Sequence, residues 1–412
     1  MEKLIGSNAN VIKQRNRSLI LNIIKQKDGI SRAELSKVTG LSKGGITPII
    51  SELLKMGLVV ESGVSLTDSG RRPITLALRS SGCYAIAVDW TRKNYIAAIV
   101  DFTGHIIAKE DYLFKENDTL KHILDRLTET IARFLHRSES SRMIGIGVVA
   151  PGPLDIRKGI ILSPPNFWGW SNIPIRRILD EAFHLPVLVD NNANAYALAE
   201  KNYGKGKAYH NFVHMVIDEG IGAGIIIDDR IYRGKGKFGS EVGHISINMD
   251  GPVCACGNHG CVEVYATIPR IIEQLNNYTE LGVPSSFLSG IRKQRKIEWE
   301  DILHGLQTED AVCVNLMKKE AFYLGNALIT IVNILEPEAI ILGSRIAQAG
   351  KFILNPLREY VSVRTVTHKL QKAEIFLSDL PRASLIGGAM LIFQNFIDKS
   401  DFGLLDHTSR AD

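Results

Sequence analysis

The sequence predicts an α/β protein in two parts, a basic helical head followed by a larger body of two strand-and-helix lobes. Three observations carry this. Charge is segregated: residues 1–80 hold 13 Lys and Arg against 6 Asp and Glu, a net +7, while the remainder nets −2. The pattern changes near residue 80, from helical spacing to alternating strands and helices. Three of the five cysteines then crowd into residues 254–261 among turn-forming glycines. A length of 412 residues allows two or three domains, and 45% hydrophobic content excludes a disordered or low-complexity chain. The expected division is a head over residues 1–80, a first lobe over 81–190 completed by a C-terminal helix at about 384–412, and a second lobe over 191–383.

In the head, Ile20, Ile23 and Ile24 recur at helical spacing within Asn16–Lys25. A second helix starts at the capping box Ser31-Arg-Ala-Glu34, buries Leu35 and Val38, and ends near Gly40. Ser42 caps a third, whose stripe Ile46, Ile49, Ile50, Leu53 and Leu54 leaves Lys43, Gly44, Thr47, Pro48 and Ser51 on the opposite face. Pro48 removes a hydrogen bond there and predicts a kink. Leu58–Val60 and Ile74–Leu78 read as a two-stranded wing with Arg71 and Arg72 at its base. Small and basic residues on the third helix suit close approach to a major groove, and arginine at a wing suits a minor groove. Charge, spacing and wing together predict a winged helix-turn-helix that binds DNA through Lys43, Gly44, Thr47, Ser51, Arg71 and Arg72. A basic three-helix module that binds protein is the alternative.

The body begins after Ser80-Ser-Gly82. Strands are predicted at Tyr84–Asp89, Tyr95–Asp101, His105–Leu113 and Met143–Val149, with a helix at Leu120–His136 before the last. Ala150-Pro-Gly-Pro153 is a sharp turn. Strand Val187–Val189 ends in Asp190-Asn191-Asn192 and runs into a helix through Glu200. A second set follows: strands Phe212–Ile217 and Gly222–Asp228, long helices around 309–335 stopped by Pro337, and strand Ala339–Leu342. Two repeated groups predict two lobes with a cleft between them.

Cys254, Cys256 and Cys261, with a histidine, form a thiolate-plus-imidazole set suited to tetrahedral zinc. Glycines at 257 and 260 permit the tight turns between ligands. Spacing leaves the fourth ligand open between His244 and His259. Four protein ligands would close the site, so the predicted zinc is structural. Three buried reduced cysteines are the plain alternative. The N-terminus carries no apolar signal segment and the chain no apolar run near twenty residues, which predicts a cytoplasmic protein that makes no use of a membrane. Glu241 and Glu263 flank the ligands, where a metal-braced loop would hold them still.

Glu241-Val-Gly-His244 with Cys254, Cys256, Cys261 and Glu263 resembles the zinc and sugar-binding signature of the ROK family of repressors and sugar kinases. Pro165-Asn166-Phe-Trp-Gly-Trp170 is similar to the family's Pro-Asn-x-x-x-Trp segment. Asp190-Asn191-Asn192-Ala-Asn-Ala195 is similar to the segment that bears its catalytic aspartate. The likeness runs from about Tyr84 to Gly388, and the head matches the repressor branch. It implies a two-lobed, actin-like (RNase H-like) body, His244 rather than His259 as ligand, and a sugar held by Asn191, Asn192, Glu241, His244 and Glu263. Asn166, Trp168, Trp170 and Gly152 are further candidates near it, the tryptophans for stacking on sugar or for simple packing.

The chain departs from the kinases at the chemistry. Asn192 stands where they carry an aspartate, and an amide has no useful basicity near neutral pH, though it still donates and accepts hydrogen bonds. Asp190 is an alternative base or a helix cap. Asp89-Trp-Thr-Arg-Lys93 replaces a glycine-rich phosphate turn, and Asp218-Glu219 opens a second glycine turn with two carboxylates that repel phosphate. Gly204-Lys-Gly-Lys207 lacks P-loop spacing. The expected function is a non-catalytic, sugar-responsive transcriptional repressor, xylose-repressor-like, released from operator DNA by a pentose or hexose. It is expected to act as a homodimer or higher oligomer. A sugar kinase with a DNA-binding head and a repressor governed by a protein partner are the alternatives.

Overall fold

The structure is a computed structural model describing residues 9–27, 29–64, 74–164, 167–235, 239–282, 285, 288, 290–291, 295–366, 369, 372–400, 402 and 405. By its internal contacts the chain divides into two units, residues 1–195 with 382–412, and residues 196–381.

The first unit opens with α1 (Ala9–Gln26), β1 (Ile30–Ser31), α2 (Arg32–Thr39), α3 (Lys43–Lys55), β2 (Val59–Val64) and β3 (Ile74–Leu78). The Ser31 hydroxyl accepts from the Glu34 N–H (3.2 Å) while the Glu34 carboxylate accepts from the Ser31 N–H (2.9 Å), so the capping box forms. Gly40 closes α2 with φ +70°. Leu35 is buried, but Val38 is 53% exposed, contrary to the sequence expectation. In an eight-residue helix a single turn reaches the core, and Val38 lies in the last turn. The helix α3 continues through Pro48, which sits on its exposed face. β2 pairs with β3 antiparallel as the wing, and β1 adds a third strand on the other side of β3. Arg71 and Arg72 lie outside the described residues.

The body continues with β4 (Tyr84–Trp90), β5 (Asn94–Asp101), β6 (Ile106–Leu113), α4 (Leu120–Leu135), β7 (Met143–Ala150), β8 (Leu154–Asp155), β9 (Ile160–Ile161), α5 (Ile175–Phe183), β10 (Val187–Asn191) and α6 (Asn192–Tyr203). Next come β11 (Phe212–Ile217), β12 (Ile221–Ile227), β13 (Arg230–Tyr232), α7 (Glu263–Ala266), α8 (Ile268–Glu280), α9 (Trp299–Gln307) and α10 (Ala311–Leu335). The chain closes with β14 (Ala339–Gly343), α11 (Lys351–Ser362), β15 (Glu374–Leu377) and α12 (Ala383–Lys399).

One sheet is ordered β10-β7-β4-β5-β6 and the other β13-β12-β11-β14-β15. Both follow one plan. An antiparallel meander (β4-β5-β6, or β11-β12-β13) supplies a first strand, to which two later strands add in parallel. Central parallel strands are buried on both faces and read as continuous apolar runs, as in β7, where all eight residues are buried. The edge strand β6 alternates instead. On one face of the first sheet, Ile123, Leu127, Ile131 and Phe134 of α4 form a helical stripe packed into the core. In the second unit α8, α9, α10 and α11 close the core over β11 and β14.

The helix α12 covers the other face of the first sheet. It lies so close to β7 that a Cβ on Gly147 would sit 2.0 Å from the Gly388 carbonyl oxygen. At its start, a Cβ on Gly387 would sit 1.9 Å from the Ala195 carbonyl oxygen. Its other end holds the head. Ser18 Oγ donates to Ile397 O (2.5 Å), Lys25 Nζ to Gln394 Oε1 (2.8 Å), and Ser400 Oγ to Gln14 O (3.0 Å). Burial pulls the Lys25 ammonium down to about 8 while Asp398 opposes the shift. On the far side of the head, Arg142 donates to Gly82 O (2.6 Å) and Met56 O (2.7 Å).

The backbone contact gives a paired prediction. Gly147→Ala must push α12 off the sheet and is expected to destabilise by about 1–3 kcal/mol, read as a lower thermal midpoint. Gly388→Ala places its methyl no closer than 3.5 Å to any neighbour and improves helix propensity, so it should melt at or above wild type. Equal midpoints for Gly147→Ala and wild type would refute the contact.

Candidate functional site

The head presents the expected face. Lys43, Gly44, Thr47, Pro48 and Ser51 are exposed on α3, while Ile46, Ile49, Ile50 and Leu53 are buried beneath them. Ser42 Oγ accepts from the Gly45 N–H (3.2 Å), and Thr47 Oγ1 donates to Lys43 O (2.8 Å). Arg17 of α1 reaches Glu52 of α3 through its Nε (3.1 Å), joined by Lys13 (3.2 Å), and this pairing fixes the rotation of α3. The basic residues on the outer face are left to solvent.

In the second unit, the segment after β13 turns at Val242–His244 and returns through a bridge between Ser246 and Cys261. Val253 bridges His259, with Gly257 (φ +90°) and Gly260 (φ +61°) at the turns. No side chain fits at 260, where a Cβ would lie 1.8 Å from Asn248 O. This path brings one ligand atom from each of His244, Cys254, Cys256 and Cys261 within 4.8 Å of one another. Cys254 Sγ is 3.6 Å from His244 Nδ1, and Cys256 Sγ is 3.7 Å from Cys261 Sγ. A tetrahedral ion with ordinary zinc–ligand bonds needs S···S of about 3.8 Å and S···N of about 3.6 Å. The four residues fit a metal of that kind. His259 stands outside the group, its Nδ1 against Gly251 O at 3.3 Å, so geometry separates two histidines that spacing alone leaves equivalent.

Glu241 and Glu263 come to the same place. The Ile221 N–H donates to Glu263 Oε2 (2.9 Å), which holds that carboxylate at the mouth of the Asp218–Ile221 turn. Partial burial raises the Glu241 carboxyl; neighbouring His244 opposes the shift and Glu263 adds to it. Glu241, His244 and Glu263 therefore form one cluster in the second unit.

Asn191 and Asn192 belong to the first unit, at the end of β10 and the start of α6. Their side-chain oxygens accept from the Ala193 N–H at 2.8 and 2.9 Å. Gly152 lies beside Asn191, whose Nδ2 would be 3.1 Å from a Cβ there. Asp190 is buried and accepts from Asn191 N–H (2.8 Å) and Asn194 Nδ2 (2.7 Å), while the capping bond to the start of α6 comes from Asn191. Asn166 lies outside the described residues.

Two turns stand where the resemblance places the phosphate turns of the kinases. Trp90 is fully buried against Phe114, Phe167 and Trp170, with ring centroids 6.1–6.5 Å away. Asp89 accepts from Ser384 Oγ (2.5 Å), and burial pushes its carboxyl up to about 6. In the second turn, Arg345 Nε donates to Asp218 Oδ1 (2.6 Å), its Nη2 to Glu219 Oε1 (3.0 Å), and Ser344 Oγ to Asp218 Oδ2 (2.6 Å). Sequence alone predicts that these carboxylates repel phosphate and gives no sign of the arginine that pairs with them. A loop following β14, over a hundred residues downstream, leaves no local signal of the pairing. Gly204-Lys-Gly-Lys207 is a short turn in which Lys205 Nζ donates to Leu377 O (2.6 Å), not a phosphate cradle.

Comparison with known proteins agrees with this arrangement. The pattern described as the ROK family matches residues 85–395, and the pattern described as winged helix-turn-helix DNA-binding matches residues 14–60. The chain is 32% identical over 391 residues to the xylose repressor of Bacillus spizizenii, covering 94% of this chain and 97% of that protein. A crystal structure of a ROK family transcriptional regulator, a homologue of the E. coli MLC protein, superposes with a TM-score of 0.80 at 30% identity, covering 96% and 98%. A ROK family glucokinase from Streptomyces griseus, in complex with glucose and AMPPNP, gives 0.66 at 27% identity, covering 75% of this chain and 98% of its own. The span without counterpart in that kinase is about the size of the head. With a winged DNA-binding head in front of a matched body of this extent, the chain belongs to the ROK family.

Proposed function

We propose that this protein is a sugar-responsive transcriptional repressor that binds operator DNA through its winged head and releases it when a sugar binds the body, with no phosphotransfer. One observation carries the reading: the Glu241, His244 and Glu263 cluster stands beside a metal-ligand group, while the Asp89–Lys93 turn has no glycine, Arg345 pairs with the carboxylates that open the second glycine turn, and Asn192 stands at the base position. Similarity to the xylose repressor of Bacillus spizizenii supports it and makes xylose the first inducer to try. Among the described residues no helix is long and apolar enough to cross a membrane, which suits a cytoplasmic DNA-binding protein.

Asn191, Asn192, Glu241, His244 and Glu263 supply the donors and acceptors that sugar hydroxyls need. His244, Cys254, Cys256 and Cys261 would hold zinc as a closed, structural site, which stiffens the loop that carries His244 between the two glutamates. The sugar acts by its differential affinity for two states of the repressor. A ~100-fold loss of operator affinity requires about 2.7 kcal/mol of coupling. Lys43, Gly44, Thr47, Ser51, Arg71 and Arg72 are the proposed DNA contacts, and a palindromic operator read by a helix-turn-helix calls for a homodimer or larger assembly.

Fluorescence anisotropy on DNA from upstream of the protein's own operon, titrated with pentoses, hexoses and glycosides, tests the reading. One sugar should release the protein. Glu263→Ala should lose that release while keeping operator affinity within about twofold, and a normal response from Glu263→Ala would move the sugar elsewhere. ATP turnover on the same sugar would reinstate the kinase.

Zinc removal gives a separate outcome. Cys256→Ser, or dialysis against a chelator, should lower zinc measured by plasma mass spectrometry and abolish sugar binding, with DNA binding by the head preserved. Full sugar binding by metal-free protein would contradict a structural role.

For the head, Lys43→Ala should weaken all operators alike and reduce the slope of log K against log salt by about 1. An unchanged slope would take Lys43 off the phosphate backbone.

A further inference from the structure

Residues 162–164 and 167–172 are held at the edge of the first sheet at which the parallel strands β4, β7 and β10 all end. In register, Asp89 and Asp190 both pair with Val149, so Trp90, Ala150 and Asn191 close their strands side by side. Ligands of α/β sheets gather at such carboxyl ends. At one side the Leu162 N–H donates to Pro153 O (3.1 Å), next to the Gly152 that adjoins Asn191. At the other side Trp168 Nε1 donates to Arg92 O (2.6 Å), just beyond β4. The ends of β10 and β4 are two strand spacings apart, about 10 Å, which is wider than one pyranose ring.

Trp168 is anchored beside β4, and its setting is specific. Its backbone is left-handed (φ +58°), as is that of Gly169 (φ +74°), a conformation rare for bulky residues. One face of its indole stacks on Trp170 (centroids 6.0 Å, planes 22° apart), and Trp170 is wedged against Trp90, Phe114 and Phe167. Phe114 meets the indole edge-on (6.5 Å), yet the residue is 42% exposed. A tryptophan bound by its N–H, braced by two aromatic neighbours and still partly open to solvent is a rigid platform. Such a plane binds the C–H face of a sugar ring, because its negative π-face meets weakly positive hydrogens over an apolar patch.

We propose that Trp168 is the platform of a second sugar subsite, so that the body takes a glycoside of at least two rings, with one ring at Asn191 and Asn192 and the next on the indole. This inference rests on the sugar-inducer reading above. It adds that the inducer's linked ring, and not only its first ring, is recognised.

Isothermal titration of the full chain with xylose, xylobiose, glucose and cellobiose tests it, using wild type, Trp168→Ala and Trp168→Phe. In whichever series binds, the disaccharide should bind at least tenfold tighter than its monosaccharide. Trp168→Ala should erase that tenfold advantage and leave monosaccharide affinity within twofold, which also certifies the variant as folded. Trp168→Phe should retain most of it. A wild type that binds mono- and disaccharide equally, or a Trp168→Ala variant that keeps the disaccharide advantage or loses both sugars equally, overturns the platform and leaves the inducer reading standing. Binding of none of the four sugars overturns both.

Discussion

The first unit depends on one close contact, the seating of α12 on β7 through two glycines. With a Cβ at 147 the helix could not lie where it does, and three separate parts of the chain are placed by that seating. The start of α12 packs on the first turn of α6, through Gly387 and Ala195, and ties down Asp89 through Ser384. Its middle covers β4, β7 and β10. Its end carries Ser18, Lys25 and, through Ser400, Gln14 of the head. At about 1.5 Å per residue its 17 residues span about 25 Å. A rigid helix of that length joins the segment bearing Asn191 and Asn192 to the element that orients α3.

The second unit is organised by polar constraints instead. Arg345 neutralises the turn that opens with Asp218 and Glu219, and Glu263 caps the end of that same turn at Ile221. The ion pair therefore fastens the start of the turn to the loop after β14, while Glu263 holds its end. In the first unit the residue before the equivalent turn, Trp90, is anchored in the aromatic core instead.

Local features were legible in the sequence because their physics is local. The Ser31–Glu34 box, the Ser42 cap, the alternation of faces on α3 and the cysteine spacing each need only a few consecutive residues, and each forms. Val38 failed because periodicity gives a helix face but not how far along the helix the core extends. The group formed by His244 with the three cysteines needed the turn at Val242–His244, since both histidines satisfy the spacing. The Arg345 pair, the Gly147–Gly388 contact and the burial of Trp90 are contacts between distant segments, and a single sequence contains no signal that brings those segments together. β15 was missed for a related reason: Glu374–Leu377 is a four-residue strand, too short for periodicity to register, and it exists because β14 offers it a parallel edge.

The substitution at Asn192 is best understood through where binding energy goes. A kinase must bind the transition state more tightly than the sugar, so part of its interaction energy appears only during transfer. A regulator has no transition state to favour. All of its sugar affinity is available for distinguishing two conformations, and the sugar survives to report its own concentration. An asparagine serves this better than the aspartate it replaces, because it hydrogen-bonds a hydroxyl as donor and acceptor while lacking the basicity to activate it. Under the proposed reading, weakened nucleotide binding acts in the same direction, since a nucleotide held beside the sugar would favour a conformation the inducer alone is meant to select. Loss of chemistry and retention of the sugar cluster would then be one adaptation, in which the body keeps the hydrogen bonds that sense the sugar and discards those that would consume it.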